Sequence, residues 1–433
     1  MILGAVMVPH PPIIIPEVGK GEEKVVQETI DAYHKAMKTL SSWQPDTIVL
    51  ISPHAELYRD YFQIASGKEY SDDMARFSAK SVSMKVEYDE ELVHLICSEC
   101  EKEKFPAGDE YPDEEIIDHG TMVPLYFLSQ YLKKYRLVRL GLSGLSLYQH
   151  KHLGEIIQNC ADTLDRKVAV IASGDLSHYA NYNSPYGYRP EGEKYEKEII
   201  EVMSEGDFDQ LLKFSNTYRR QAGECGHGSF TIMSGILKDY SYQTEFLSHQ
   251  DVFGIGYGIC IYTCMDPYVQ LAQKTIETYV KERIEIPPFG PKILFEKCAG
   301  VFVSIHKNHR LRGCIGTFMS TEDSIAQEIV SNAISAATRD PRFEPIQDQE
   351  LKDLEISVDV LGELEPVDDI SQLDVKKYGI LVRDRVGRRG LLLPNLEGVD
   401  TVDQQISIAM QKAGIYEEED IFVERFEVQR HEM

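Results

Sequence analysis

Short apolar runs that stop at Pro-His or Gly-Asp, separated by segments of helical period, constrain this chain most. ILGAVMVPHPP carries Ile2 into His10, DTIVLISPH carries Asp46 into His54, and KVAVIASGD carries Lys167 into Asp175. RLVRLGLSG is a fourth such run, ended by glycines, and EEKVVQETIDAYHKAMKTL between the first two has helical periodicity. Buried strands alternating with helices argue a central, largely parallel sheet flanked by helices, an α/β domain. Such a sheet offers a ligand the residues just past the carboxyl ends of its strands. FGIGYGICIYTC near residue 260 reads as the closing strand.

The pattern then resets. PYVQLAQKTIETYVKERI is an amphipathic helix, and IPPFGPK is a turn-rich connector. AGVFVSIHKNHRLRGCIG reads as a hairpin around Lys307–Arg310, LEISVDVL as a strand and TVDQQISIAMQKAG as a closing helix. The boundary is placed near Cys264–Pro267, giving an α/β domain over 1–264 and an α+β domain over 265–433. At 433 residues the chain exceeds what one core usually serves.

Lys and Arg number 45 against 71 Asp and Glu, a net charge of -26. That field repels nucleic acid and anionic membrane, so neither is expected as a partner. The N-terminus is apolar only from Ile2 to Val8 and lacks a basic start, which argues against a signal peptide. No run approaches the roughly 20 apolar residues that span a bilayer. Eight scattered cysteines suit a reducing cytoplasm. Cys97 and Cys100, in CSEC, read as one half-buried helix face rather than a redox or metal pair. Glu417–Asp420 reads as a solvated acidic loop.

The chemistry concentrates in histidines. Neutral imidazoles with a carboxylate or thiolate suit iron or zinc, and three protein ligands leave positions open for substrate. His10 and His54 share a strand–Pro–His context, and parallel neighbouring strands would bring them together. Asp118, beside His119, can fix an imidazole tautomer, and Gly120 permits a tight turn into the next helix. Asp175 and His178 are three residues apart and face the same way if the segment turns helically; Asp175 or Ser177 serves equally well as a helix N-cap. Two imidazoles near a metal are natural acid–base groups. AGECGHGS adds Glu224, Cys225 and His227, the last read as a loop residue.

The ordered motifs PHPP, SPH, DHG, GDLSH and GECGHG over residues 1 to about 264 resemble the class III extradiol dioxygenase B-subunit family and its Memo-type relatives. The resemblance implies a mononuclear non-haem Fe(II) held by His10 and His54; a Cys donor would soften the site toward zinc or copper. It implies His119 and His178 as acid–base residues accompanied by Asp175. The dioxygenases point to Glu224 as third ligand, the first expectation here, and the Memo-type members to Cys225.

In the second half Leu311-Arg312-Gly313-Cys314-Ile315-Gly316 ends a strand with two glycines that let the backbone approach something closely. Arg312 is a candidate anion holder; Cys314 is a candidate nucleophile, or a buried structural residue. With DPRFEPI, LEISVDVL and GLLLPNLEG, this stretch resembles the AMMECR family over roughly 265 to 433, with Asn308-His309 where a Gly-containing turn is more usual. The resemblance implies an α+β domain with a cleft that includes LRGCIG.

Three functions compete. The first is ring cleavage of a catechol or related small phenol at Fe(II). The second is oxygen-independent metal chemistry with a separate radical-SAM enzyme, suggested by resemblance of both domains to parts of one prokaryotic system. The third is a non-enzymatic metal- or ligand-binding scaffold. No GxxxxGK[ST], no GxGxxG opening a βαβ unit and no GxSxG elbow occurs, which sets nucleotide binding and serine hydrolysis aside. Homo-oligomerisation stays open.

Overall fold

A computed structural model describes residues 1–111, 117–396, 398–416 and 421–432; the acidic stretch Glu417–Asp420 lies outside the described residues. The chain divides into two compact units, Met1–Met265 and Asp266–Met433. Among the described residues no helix is long and apolar enough to cross a membrane.

The first unit is α/β. Its sheet uses β1 (Ile2–Val8), β2 (Thr47–Ile51), β3 (Arg136–Leu140), β4 (Val168–Ser173), β5 (Tyr242–Gln250) and β6 (Tyr257–Cys264), in the order β3-β2-β4-β1-β6-β5. The first four run parallel; β6 lies antiparallel to β1, and β5 to β6. Every residue of β2 and β4 is buried, as continuous apolar runs covered on both faces require. Alternate side chains split between two cores. Ala5, Met7, Val49 and Val170 pack with the helices Leu147–Thr163 and His227–Ile236. Val6, Val8, Leu50 and Ile171 pack with Gln27–Ser42 and His119–Leu128.

Three sequence expectations need correction here. β1 and β2 are not neighbours, because β4 lies between them. β6 does not close the sheet; Tyr242–Gln250, whose apolar positions are only partly covered, takes the edge. No helix starts at Asp175 or Ser177, since the next begins at Pro190. A hairpin of Glu69–Met74 with Ala79–Glu87 was not anticipated, although SVSMKVE alternates in strand fashion. Cys97 and Cys100 lie on the helix Glu90–Glu103, half-buried and buried, and burial pushes both thiols up to about 12.

The helices Leu147–Thr163 and His227–Ile236 meet backbone to backbone. A Cβ on Gly235 would stand 1.9 Å from the Lys151 carbonyl oxygen, and one on Gly154 2.1 Å from that of Ile232. The second of these helices starts two residues after Cys225. There His227 is no loop residue. It is the first residue of that helix and fully buried, with Tyr195 Oη 3.0 Å from Nδ1 and the Leu211 carbonyl 2.9 Å from Nε2. Burial, reinforced by Arg219, pushes it down to about 3. The unfolded chain therefore binds this proton below about pH 6.5 while the folded chain does not, so stability is lost as pH falls. Buried carboxylates raised by desolvation, such as Glu196, work in the opposite direction, so the histidine is isolated by difference. The unfolding free energy of the wild type minus that of His227→Gln is expected to fall by about 1.4 kcal/mol per pH unit between about pH 6 and 4, read by urea denaturation. A pH-independent difference would show that His227 is protonated in the fold.

The second unit is α+β. Its antiparallel sheet follows the order β8-β7-β9-β12-β10-β11, from β7 (Val301–Lys307), β8 (Arg310–Gly316), β9 (Leu354–Leu361), β10 (Tyr378–Asp384), β11 (Arg389–Leu392) and β12 (Ile421–Glu432). Asn308 and His309 both have positive φ, 52° and 60°, the requirement of a type I′ hairpin turn. Val301, Val303 and Ile305 face the helices Pro267–Glu282 and Ile325–Thr338. Helix Val402–Ala413 does not close the chain; β12 follows and joins the two halves of the sheet.

Candidate metal centre

Parallel β2, β4 and β1 stand side by side and end at one edge. That edge receives His54 from the β2 loop, Asp175 and His178 from the β4 loop, and His10 from the β1 loop. His10 Nε2 lies 3.0 Å from His54 Nε2 and 3.7 Å from Cys225 Sγ. The ring of His54 stacks on that of His119, centroids 4.2 Å apart. Among the described residues two sets of three donors lie mutually within 4.8 Å and share His10: His10, His54 and His119, and His10, Asp175 and Cys225.

Hydrogen bonds aim these groups. His10 Nδ1 lies 2.9 Å from Ser173 Oγ; with Nδ1–H donating there, Nε2 keeps its lone pair for the centre. The His10 backbone N–H donates to Asp175 Oδ1 (3.0 Å), and the Asp175 N–H donates to Cys225 Sγ (3.2 Å). His178 Nδ1 lies 2.6 Å from the Gly223 carbonyl, which fixes the proton on Nδ1 and leaves Nε2 an acceptor, 4.0 Å from Asp175 Oδ2. Asp118 makes no such bond to His119. It caps the helix His119–Leu128 through the Thr121 N–H, and accepts from Thr121 Oγ1 (2.8 Å) and Ser52 Oγ (2.5 Å). Ser52 Oγ in turn accepts from the His54 N–H (3.2 Å), so one carboxylate ties the His54 loop to the helix that starts at His119.

The electrostatics favour neutral imidazoles. Burial, with His54 beside it, holds His10 well below the usual histidine range. Burial and the other two rings push His119 down to about 4, and burial lowers His54. Burial opposes the charge of Asp118, yet the bonds from Ser52 and Thr121 and the nearby Arg139 hold it below the carboxylate range. Burial, then Asp175 and Glu224, raises the Cys225 thiol well above its normal range, so a thiolate here needs a cation beside it.

A metal fits this donor set. Two nitrogens at about 2.1 Å from one ion sit about 3.0–3.4 Å apart, and a nitrogen and a sulfur about 3.6 Å apart. The 3.0 and 3.7 Å separations around His10 match; His54 and Cys225 share no set within 4.8 Å, so one ion holding both requires the Cys225 side chain to turn inward. Without a cation or a shared proton, two imidazole nitrogens in such contact repel.

Glu224 does not join the set. Its Oε2 accepts the His227 N–H (2.7 Å) and its Oε1 faces Arg219 Nη1 (3.2 Å), so it caps the following helix and pairs with an arginine. Of the two adjacent candidates, it is Cys225 that faces His10. The sequence reading also missed Ser52 and Ser173; the serine of Ser52-Pro53-His54 was visible as part of the motif. His119, read as acid–base, stands close enough to be a donor as well.

In the second unit Arg312 is consumed. Its Nε and Nη2 donate to both oxygens of Glu350 (3.1 and 3.0 Å), and Nη1 to the Glu344 carbonyl (2.8 Å). Three of its five N–H groups are engaged within the fold, so Arg312 serves as a structural tie and not as the free anion holder expected. Cys314 is half-buried and opens on a cavity.

Residues 4–260 match the family model described as the catalytic LigB subunit of aromatic ring-opening dioxygenase. The chain belongs to this family. The AMMECR1 model matches residues 269–431. A Clostridium acetobutylicum protein, CA_C1420, is 37% identical over 464 residues, covering 99% of this chain and 98% of that protein. A Thermotoga maritima protein is 51% identical over 169 residues, 38% of this chain and 97% of that protein. Matched crystal structures include an uncharacterized Pyrococcus horikoshii protein at 30% identity, covering 38% of this chain and 88% of that one with TM-score 0.35. Another is an uncharacterized Escherichia coli K12 protein at 14% identity, covering 60% and 99%, with TM-score 0.40. The centre just described lies wholly within the LigB-type domain.

Proposed function

We propose that the LigB-type domain is a metal-dependent enzyme that opens the ring of a catechol or related small phenol, with Fe(II) held by His10, His54 and Cys225. The observation that carries this is the approach of two donors, His54 Nε2 and Cys225 Sγ, to His10 Nε2, beside an acid–base pair that is not consumed by the fold. When bound, Fe(II) supplies Lewis acidity and open positions for a diol and dioxygen. His178, with Nδ1 committed to Gly223, presents Nε2 to take a phenolic proton. Asp175 holds the His10 backbone and faces His178, so it stabilises the imidazolium that forms. His119, neutral at pH 7, accepts rather than donates there.

Two rings suit an aromatic substrate. Phe77 meets His119 edge to face at 5.7 Å, and Tyr186 meets His178 likewise at 5.7 Å. Oxygen uptake with a panel of catechols, on protein loaded anaerobically with Fe(II), tests the reading. Uptake that matches ring-opened product and is absent in His178→Gln is expected; no uptake with any catechol overturns it. The thiol of Cys225 favours a second reading, a softer zinc or copper ion and oxygen-independent chemistry with a radical-SAM partner. Turnover only in the partner's presence and without air would select it.

A further inference from the structure

The second unit carries a cavity of about 950 Å³ on the sheet face opposite the helices Pro267–Glu282 and Ile325–Thr338, bordered by Lys412 of the helix Val402–Ala413. Odd positions of β7 are the core residues Val301, Val303 and Ile305, so Phe302, Ser304 and His306 point the other way. Ser304 pairs with Cys314 on one side and Ser357 on the other, and Ser357 with Glu432. This row of small side chains leaves the face hollow. Leu391, Leu393 and Leu396 form an apolar wall.

Three cations border the same space. Arg342 is clamped by buried Asp340, through Nε (2.9 Å) and Nη2 (2.7 Å), with Nη2 also on the Cys314 carbonyl (3.1 Å). Arg430 is clamped by buried Asp359 through Nε (2.8 Å) and Nη2 (2.9 Å). Each guanidinium keeps Nη1 without a hydrogen-bond partner among the described residues. Lys412 Nζ reaches only the Leu391 carbonyl (3.3 Å) and has no carboxylate partner among the described residues. Glu355 and Glu432 also line the cavity, and Glu355 is engaged by His309 Nδ1 (3.0 Å). Guanidiniums locked in place by buried aspartates, with one N–H edge left over, are pre-organised for an oxyanion. In a chain of net charge -26 that arrangement is no byproduct of surplus cations.

We propose that this cavity binds a small organic anion, its carboxylate or phosphate head among Arg342, Arg430 and Lys412 and its apolar body against the leucine wall, with Cys314 at the floor. The residues of this site all belong to the second unit, and the proposal does not depend on the chemistry of the metal centre. The probes are hexyl phosphate, hexanoate, inorganic phosphate and, as the cationic control, hexylammonium. The readout is the rate of iodoacetamide labelling of Cys314 on the full chain, by peptide mass spectrometry, with exposed Cys298 as internal reference.

Hexyl phosphate or hexanoate is expected to slow Cys314 labelling several-fold and saturably while Cys298 is unaffected. Which of the two protects at lower concentration separates phosphate from carboxylate. Lys412→Gln is expected to raise the half-protecting concentration about tenfold, the worth of one charge-assisted hydrogen bond. Equal protection by hexylammonium, protection by inorganic phosphate as strong as by hexyl phosphate, or no saturable protection by either organic anion would overturn the proposal. The wild-type series decides these outcomes without reliance on any variant.

Discussion

Cys225→Ala is expected to weaken divalent-metal binding by more than about 100-fold, whereas Glu224→Gln leaves it within about tenfold. The first figure exceeds the 10–100-fold that changes around a metal's ligands typically cost, because a donor itself is removed. The second reflects a carboxylate spent on Arg219 and on the His227 N–H. Glu224→Gln should show its effect elsewhere. Breaking a largely buried ion pair costs about 3 kcal/mol, which denaturant unfolding would register. Competition titration with a chromogenic chelator measures both affinities. If Glu224→Gln lost the metal and Cys225→Ala kept it, the turn carrying these two residues would have to be reversed.

His178→Gln is expected to lower kcat by about 10²–10⁴-fold with little change in KM, the usual loss when a positioned proton acceptor is removed. Its Nε2 is free for the task only because Nδ1 is bound to the Gly223 carbonyl. Glutamine can keep that bond through its amide but cannot take up the proton. Metal content should stay at the wild-type level. A variant that lost metal in parallel with activity would make His178 a ligand instead.

Much of this centre was legible because each key residue directly follows an apolar run. His10, His54, Asp175 and His178 sit within five residues of a strand end, where a parallel sheet must present them. What the sequence could not resolve is which side of a turn a residue faces. Glu224 and Cys225 are adjacent, and only the backbone path into the helix at His227 turns one toward Arg219 and the other toward His10. Strand order was equally hidden. β1 and β2 looked like neighbours because they come first, but β4 pairs with both and delivers the Asp175–His178 loop between the two histidines. In the second unit Arg312 drew notice through its motif. The arginines at the cavity, Arg342 and Arg430, are distant in sequence and defined by the buried aspartates that clamp them.

The most direct test of the metal centre is the metal content of protein purified without air, beside the His10→Ala/His54→Ala double variant. One equivalent of iron in the wild type, lost in a double variant that keeps the wild-type circular dichroism spectrum, is the predicted result. A wild type without bound metal, or a double variant that retains the ion, would contradict the account.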